Sequence, residues 1–239
     1  MEILSIGNSF SQDATRYLHA IADSDGTVIN TTNLFIGGCT LATHHANMLS
    51  GDALYLLEYN GKSSGKYISL TDALEMRAWD VVTLQQASPK SFDTRSYFPY
   101  ITELCNTVRK KCPNAKIYIH ETWAYEDGCN RLHNIAGFDT SKEMLDKVVA
   151  AYEFISKEIN ADKMIRSGEL FGKLIEQGTD AKIHRDTYHA SLGLGRYALG
   201  LIWYKTLCGA KVSENKFCDF DESISENDID LVKRTVDSM

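Results

Sequence analysis

The chain has 239 residues, 44% of them hydrophobic and 24% charged, with a formal net charge of −7. The acidic balance, with no basic run longer than Arg109-Lys110-Lys111, excludes an extended nucleic-acid surface, and no stretch approaches the ~18 apolar residues of a membrane span. The length suffices for a sizeable core, and one domain over 1–239 is expected.

In chain order the hydrophobic pattern predicts short, almost wholly apolar strands over 2–6, 28–35, 81–85, 116–120 and 164–168. Between and after them, apolar residues at helical spacing predict helices over 14–22, 41–49, 97–111, 142–159, 190–207 and 229–236. The alternation of strand and helix implies a three-layer α/β fold with a flavodoxin-like, doubly wound parallel sheet. Residues 55–70 break the rhythm: two strand-like runs flank Asn60-Gly61, the signature of a hairpin at a sheet edge.

Two motifs in the chain lack the context their chemistry needs. Gly193-Leu-Gly195-Arg-Tyr-Ala198 fits the dinucleotide fingerprint, but no strand precedes it and the segment reads as helix. Gly61-Lys62-Ser63 resembles the end of a P-loop, yet Leu56 stands where the first glycine is required. The six cysteines contain no C-x-x-C pair, which reads as scattered reduced thiols. The adjacent His44 and His45 point to different helix faces and no His-Glu-x-x-His occurs, so no metal is expected. The N-terminal apolar run is too short for a signal-peptide core and contains Glu2; the chain as it stands reads as cytoplasmic, or as exported if a leader precedes it.

Nucleophilic chemistry is suggested by the two ends of the chain. The first strand runs into Gly7-Asn8-Ser9-Phe10-Ser11, which places the Ser9 hydroxyl at the carboxyl end of a strand and just before a helix. Unpaired N–H groups at that helix start, the amide of Ser9 among them, can hold a developing oxyanion. Near the other end, Asp186-Thr-Tyr-His189 spaces a carboxylate and an imidazole so that one turn brings them into contact, fixing the tautomer and stabilising the imidazolium. Serine, imidazole and carboxylate are the residue types of acyl transfer, and the fold must then bring the ends together.

With these blocks in place the chain resembles the SGNH hydrolase superfamily of GDSL-type esterases and lipases, within a bacterial branch whose first block reads Gly-Asn-Ser-x-Ser. The likeness spans about residues 1 to 210. It implies Ser9 as nucleophile, His189 as base and Asp186 as its partner. The family's second block is similar to Gly38-Cys39-Thr40, which implies the Gly38 amide as an oxyanion donor. Asn8 replaces the acidic residue of the first block, a position outside the triad. Where the family places Gly-x-Asn-Asp, this chain has Val81-Val-Thr-Leu-Gln-Gln-Ala-Ser88, so the side-chain oxyanion donor falls to Gln86, with Gln85 and Ser88 as rivals.

The activity implied is hydrolysis of small acyl esters, including O-acetyl groups on carbohydrate, with no cofactor; the substrate is the only partner indicated, and the sequence does not specify an oligomeric state. Two alternatives stay open. A degenerate SGNH fold could bind carbohydrate only, through exposed aromatics such as Trp123 and Tyr125. A flavodoxin-like protein could cradle phosphate or flavin in the loop 7–13.

Overall fold

The computed structural model describes residues 1–239. Its centre is a seven-stranded sheet of order β4-β3-β2-β1-β5-β6-β7, built from β1 (Glu2–Ile6), β2 (Asn30–Phe35), β3 (Tyr55–Tyr59), β4 (Lys62–Ile68), β5 (Val81–Leu84), β6 (Lys116–His120) and β7 (Lys163–Ile165). The strands β2, β1, β5, β6 and β7 run parallel, while β3 and β4 add an antiparallel hairpin at the β2 edge. The five parallel strands follow the flavodoxin-like order, with the change of direction between β1 and β5. Ligands bind outside the carboxyl ends at such a point.

Nine helices cover the sheet: α1 (Ser9–Thr15), α2 (Leu18–Asp23), α3 (Leu41–Ser50), α4 (Leu70–Glu75), α5 (Tyr100–Lys111), α6 (Ser141–Glu158), α7 (Ser167–Gln177), α8 (Leu194–Cys208) and α9 (Glu226–Asp237). Helices α1, α2 and α9 pack on α8, and α3, α4 and α5 on one another. Every residue of β5, and of β1 beyond Glu2, is buried, as expected of central strands covered on both faces. Helix α8 is apolar on nearly all sides, with Tyr197, Leu201 and Trp203 buried, because it lies between other elements rather than at the surface. The glycine fingerprint at 193–198 falls on the start of this helix, with no strand before it.

Several boundaries differ from the sequence pattern, and two of the differences bear on the site. The expected helix over 14–22 is two helices, and the first begins at Ser9 because the Asn8 side chain caps it by accepting from the Phe10 amide at 3.0 Å. The break at Tyr17 is held by tertiary bonds: its hydroxyl donates to the Leu192 carbonyl and accepts from the Asp221 amide, both at 2.6 Å. The strand expected over 164–168 ends at Ile165, and Ser167 and Gly168 open α7 instead. The hairpin turn brings the Arg16 carbonyl against Gly61, where a Cβ would sit 2.2 Å from that oxygen at a φ of +74°; only glycine fits there.

Helix α7 starts on a buried acid. Oε1 of Glu121 accepts from the Glu169 amide at 2.8 Å, while Oε2 has no partner. Burial pushes the Glu121 carboxyl up to about 8, outweighing the bonds that favour its ionised form. An unfolded chain ionises this group near 4.5, so between there and about 8 the folded state holds the extra proton. The stability Glu121 contributes is therefore complete below the lower value and lost as pH rises through the upper one. Urea titrations should show Glu121→Gln gaining on the wild type as pH rises across that window. A gap independent of pH would contradict the assignment.

Candidate active site

Ser9 and His189 lie 180 positions apart and meet at the carboxyl end of β1. The Ser9 hydroxyl is 2.8 Å from His189 Nε2, and His189 Nδ1 is 2.7 Å from Asp186 Oδ2. The ring N–H at Nδ1 donates to the carboxylate, which leaves Nε2 free to accept from Ser9. The other carboxylate oxygen, Oδ1, accepts from the His189 amide at 2.8 Å. Burial alone would raise the Asp186 pKa, but the bonds from the ring and amide of His189 prevail and hold it below the usual carboxylate range.

The turn that carries Asp186 and His189 is closed by its own backbone and tied to the core. The Arg185 amide donates to the His189 carbonyl at 3.0 Å, and Thr187 takes a left-handed φ of 73° that its carbonyl helps to fix by accepting from the Glu126 amide. A β-branched residue in that region is costly and persists only where surrounding bonds over-determine it. Trp123 contributes by donating from Nε1 to the Tyr188 carbonyl at 2.8 Å. Its ring stacks on Phe10, with centroids 4.0 Å apart and planes within 7°. Trp123 and Tyr125 are thus fully buried, which corrects the expectation that they are exposed sugar platforms. They brace the helix start and the turn that face each other.

At the nucleophile, Gly7 is needed for close packing: a Cβ there would lie 2.5 Å from Ser11 Oγ and 2.9 Å from the Gln85 side chain. A directional chain of bonds holds this loop. Ser167 Oγ donates to His120 Nε2 at 3.0 Å, His120 Nδ1 donates to Gln85 Oε1 at 2.9 Å, Gln85 Nε2 donates to Asn8 Oδ1 at 2.8 Å, and Asn8 Nδ2 donates to the Cys39 carbonyl at 3.1 Å. Burial lowers the His120 pKa to about 3, so the ring is neutral and can serve as acceptor at one nitrogen and donor at the other. The chain ties the ends of β6, β5 and β1 to the loop carrying Gly38. An aspartate at position 8 could not donate to the Cys39 carbonyl, which accounts for asparagine there.

These bonds also bear on the third block. The Gln85 amide is spent on Asn8. The structure does not bring Gln86 to the site, a correction to the sequence reading: its side chain is fully buried, Nε2 donates to the carbonyl and hydroxyl of Ser96 at 3.0 and 3.1 Å, and Oε1 accepts from the amides of Leu41 and Ala87. Gln86 therefore joins the end of β5 to the start of α3. Ser88 does reach the site, with its hydroxyl 2.9 Å from that of Tyr125.

Ser9, Gly38, Ser88 and His189 line one cavity of about 510 Å³. The amide N–H groups of Ser9 and Gly38 donate to no acceptor of the protein, so both are available to a ligand. The sequence reading missed Gln12, Arg131, Arg185 and Tyr188, which also line the cavity. Adjacency of Arg185 and Tyr188 to Asp186 and His189 was a usable signal for two of these. Arg131 lies in no motif.

The sheet of flavodoxin-like order has the fold of SGNH hydrolases, and serine, imidazole and carboxylate are bonded in series at its switch point. The chain belongs to the DUF4886 family, a domain of unknown function, whose profile matches residues 2–237. It is similar in structure to a DUF4886 family protein from Bacteroides uniformis, with 29% identity and a TM-score of 0.89 over 100% of this chain and 93% of the other. A protein of Slackia heliotrinireducens assigned to the SGNH hydrolases shares the fold at 22% identity and a TM-score of 0.63, over 87% of this chain and 98% of that one. So does a family 3 carbohydrate esterase of Clostridium thermocellum, at 13% identity and 0.53, over 86% and 94%. Comparison with curated proteins finds no sequence match.

Proposed function

We propose that the chain is a serine ester hydrolase acting on small acyl esters, O-acetyl groups of carbohydrates among them. The observation that carries this reading is the unbroken series Ser9 hydroxyl, His189 ring, Asp186 carboxylate, with bonds of 2.8 and 2.7 Å. His189 Nε2 takes the Ser9 proton as Oγ bonds to the ester carbonyl carbon, and the Asp186 carboxylate stabilises the imidazolium so formed. Charge on the former carbonyl oxygen is held by the Ser9 and Gly38 amides. As the intermediate collapses, His189 returns the proton to the leaving alcohol. Water, deprotonated by His189, then attacks the acyl carbon, and His189 returns that proton to Ser9 Oγ as the Oγ–carbon bond breaks and the acid leaves.

Short acyl groups are favoured because the cavity has only a few apolar walls, Phe10 and Phe35 the largest, set among polar residues and glycines. A buried methylene contributes ~0.8 kcal/mol only where an apolar groove receives it. With p-nitrophenyl esters, kcat/KM should therefore be far higher for acetyl and butyryl than for palmitoyl. Rates that climb steadily with acyl length would contradict this. The phosphate-cradle alternative has less support, since Asn8 occupies the Phe10 amide that an anion would need.

A further inference from the structure

From two arginines beside the nucleophile we infer that the preferred ester carries an anionic group, a carboxylate or a sulfate, on its alcohol part, and that Arg131 is the residue that selects it. This deepens the hydrolase reading and rests on it. The protein as a whole is acidic, at −7, yet its cavity is lined by Arg131 and Arg185 and by no aspartate or glutamate, the nearest carboxylates, Asp13 and Asp186, lying behind the lining and bonded to Arg185 and His189. Local charge of one sign in a cleft concentrates ligands of the other sign.

The two guanidiniums differ in how they are held. Arg185 is tied through Nη1 to both oxygens of Asp13 at 2.9 Å and to the Ala190 carbonyl, while its Nε and Nη2 make no hydrogen bond. Arg131 has no carboxylate partner. Its guanidinium lies 3.9 Å from the centroid of the Tyr188 ring and 5.9 Å from that of Tyr125. Stacking of this kind fixes the planar fork while leaving its N–H edge available, which suits bidentate capture of a carboxylate or sulfate.

The position of Arg131 indicates which part of the ester it meets. The Tyr188 ring that carries it is in turn 4.0 Å from the His189 ring, centroid to centroid. His189 is the group that protonates the departing alkoxide, so the alcohol part of the ester leaves past it. Arg131 is therefore on the leaving-group side, one ring beyond the imidazole.

The test compares three methyl glycosides acetylated at the same hydroxyl: O-acetylglucuronate, O-acetylglucose 6-sulfate and neutral O-acetylglucose. Charge-assisted bonds of this type lead us to expect one of the anionic esters to exceed the neutral one in kcat/KM by about 10- to 100-fold, mostly through KM. That ratio should fall towards one in Arg131→Gln, recover in part in Arg131→Lys, and shrink with added salt. Use of the ratio removes any general damage to the site. Equal rates for all three esters in the wild type, or a preference that survives Arg131→Gln, would overturn the proposal. Absence of turnover with all three would count against the hydrolase reading alone. Calorimetric binding of methyl glucuronoside, methyl glucoside 6-sulfate and methyl glucoside to Ser9→Ala decides the arginine proposal separately: tighter binding of either anionic sugar supports it, and equal binding of all three overturns it.

Discussion

Ser9→Ala and His189→Ala are each expected to lower kcat on p-nitrophenyl acetate by roughly 10⁴- to 10⁶-fold, and the double variant by no more than the worse single one. The reason is that the hydroxyl and the ring act as one unit: without Nε2 to accept its proton, Ser9 is a poor nucleophile, and without Oγ the ring has nothing to activate. Asp186→Ala should cost less. Its side chain is 45% exposed, so water can take over part of its bond to Nδ1, whereas the His189 side chain is only 15% exposed. Additive losses, with the double variant far below either single one, would mean that the residues contribute independently.

Asp13→Ala is expected to destabilise the fold by about 3 to 5 kcal/mol, read as a fall in the urea midpoint at constant slope. The Asp13 side chain is wholly buried one turn after Ser9 and accepts from Arg185 Nη1 and Arg196 Nε, each at 2.9 Å. Truncation would leave a cavity beside two guanidiniums, Arg185 with no counter-charge and Arg196 with Asp221 alone, and that desolvation cost exceeds any surface ion pair in the molecule. Since Arg185 also lines the active-site cavity, activity should fall with stability. A loss below about 1 kcal/mol would show that water or Asp221, which already pairs with Arg196, takes up the released charge.

How far the fold and site could be read from sequence differs by residue. Strands such as β1 and β6 were legible to the residue because every position after the charged first one is buried and most of those positions are apolar. Ser9, Asp186 and His189 could be named because each sits in a compact local pattern, a strand-to-helix turn and a three-residue step, that survives without knowledge of tertiary contacts. Gln86 could not be placed in this way. Strand β5 ends at Leu84, and beyond that point side-chain direction depends on what each residue meets: Gln85 turns to Asn8 and His120, Gln86 to Ser96.

Tertiary context also overrode local signals elsewhere. The segment 14–22 is helical in pattern, yet Tyr17 breaks it to reach Leu192 and Asp221. Trp123 and Tyr125 follow β6 in a segment without secondary structure and look exposed in sequence, but the first packs on Phe10 and the second on Ser88. Arg131 is the clearest case of a residue with no local signal at all. Its significance rests on Tyr188, 57 positions away, and on the absence of acidic residues from the lining of one cavity.

The central claim is that Ser9 is an activated nucleophile, and the measurement that addresses it most directly is intact-mass analysis after treatment with a small alkyl fluorophosphonate. One adduct should form, map to Ser9 by peptide sequencing, and be lost in both Ser9→Ala and His189→Ala while the fold persists by circular dichroism. A folded wild-type protein that takes up no adduct, or one labelled at another residue with Ser9 untouched, would contradict the account.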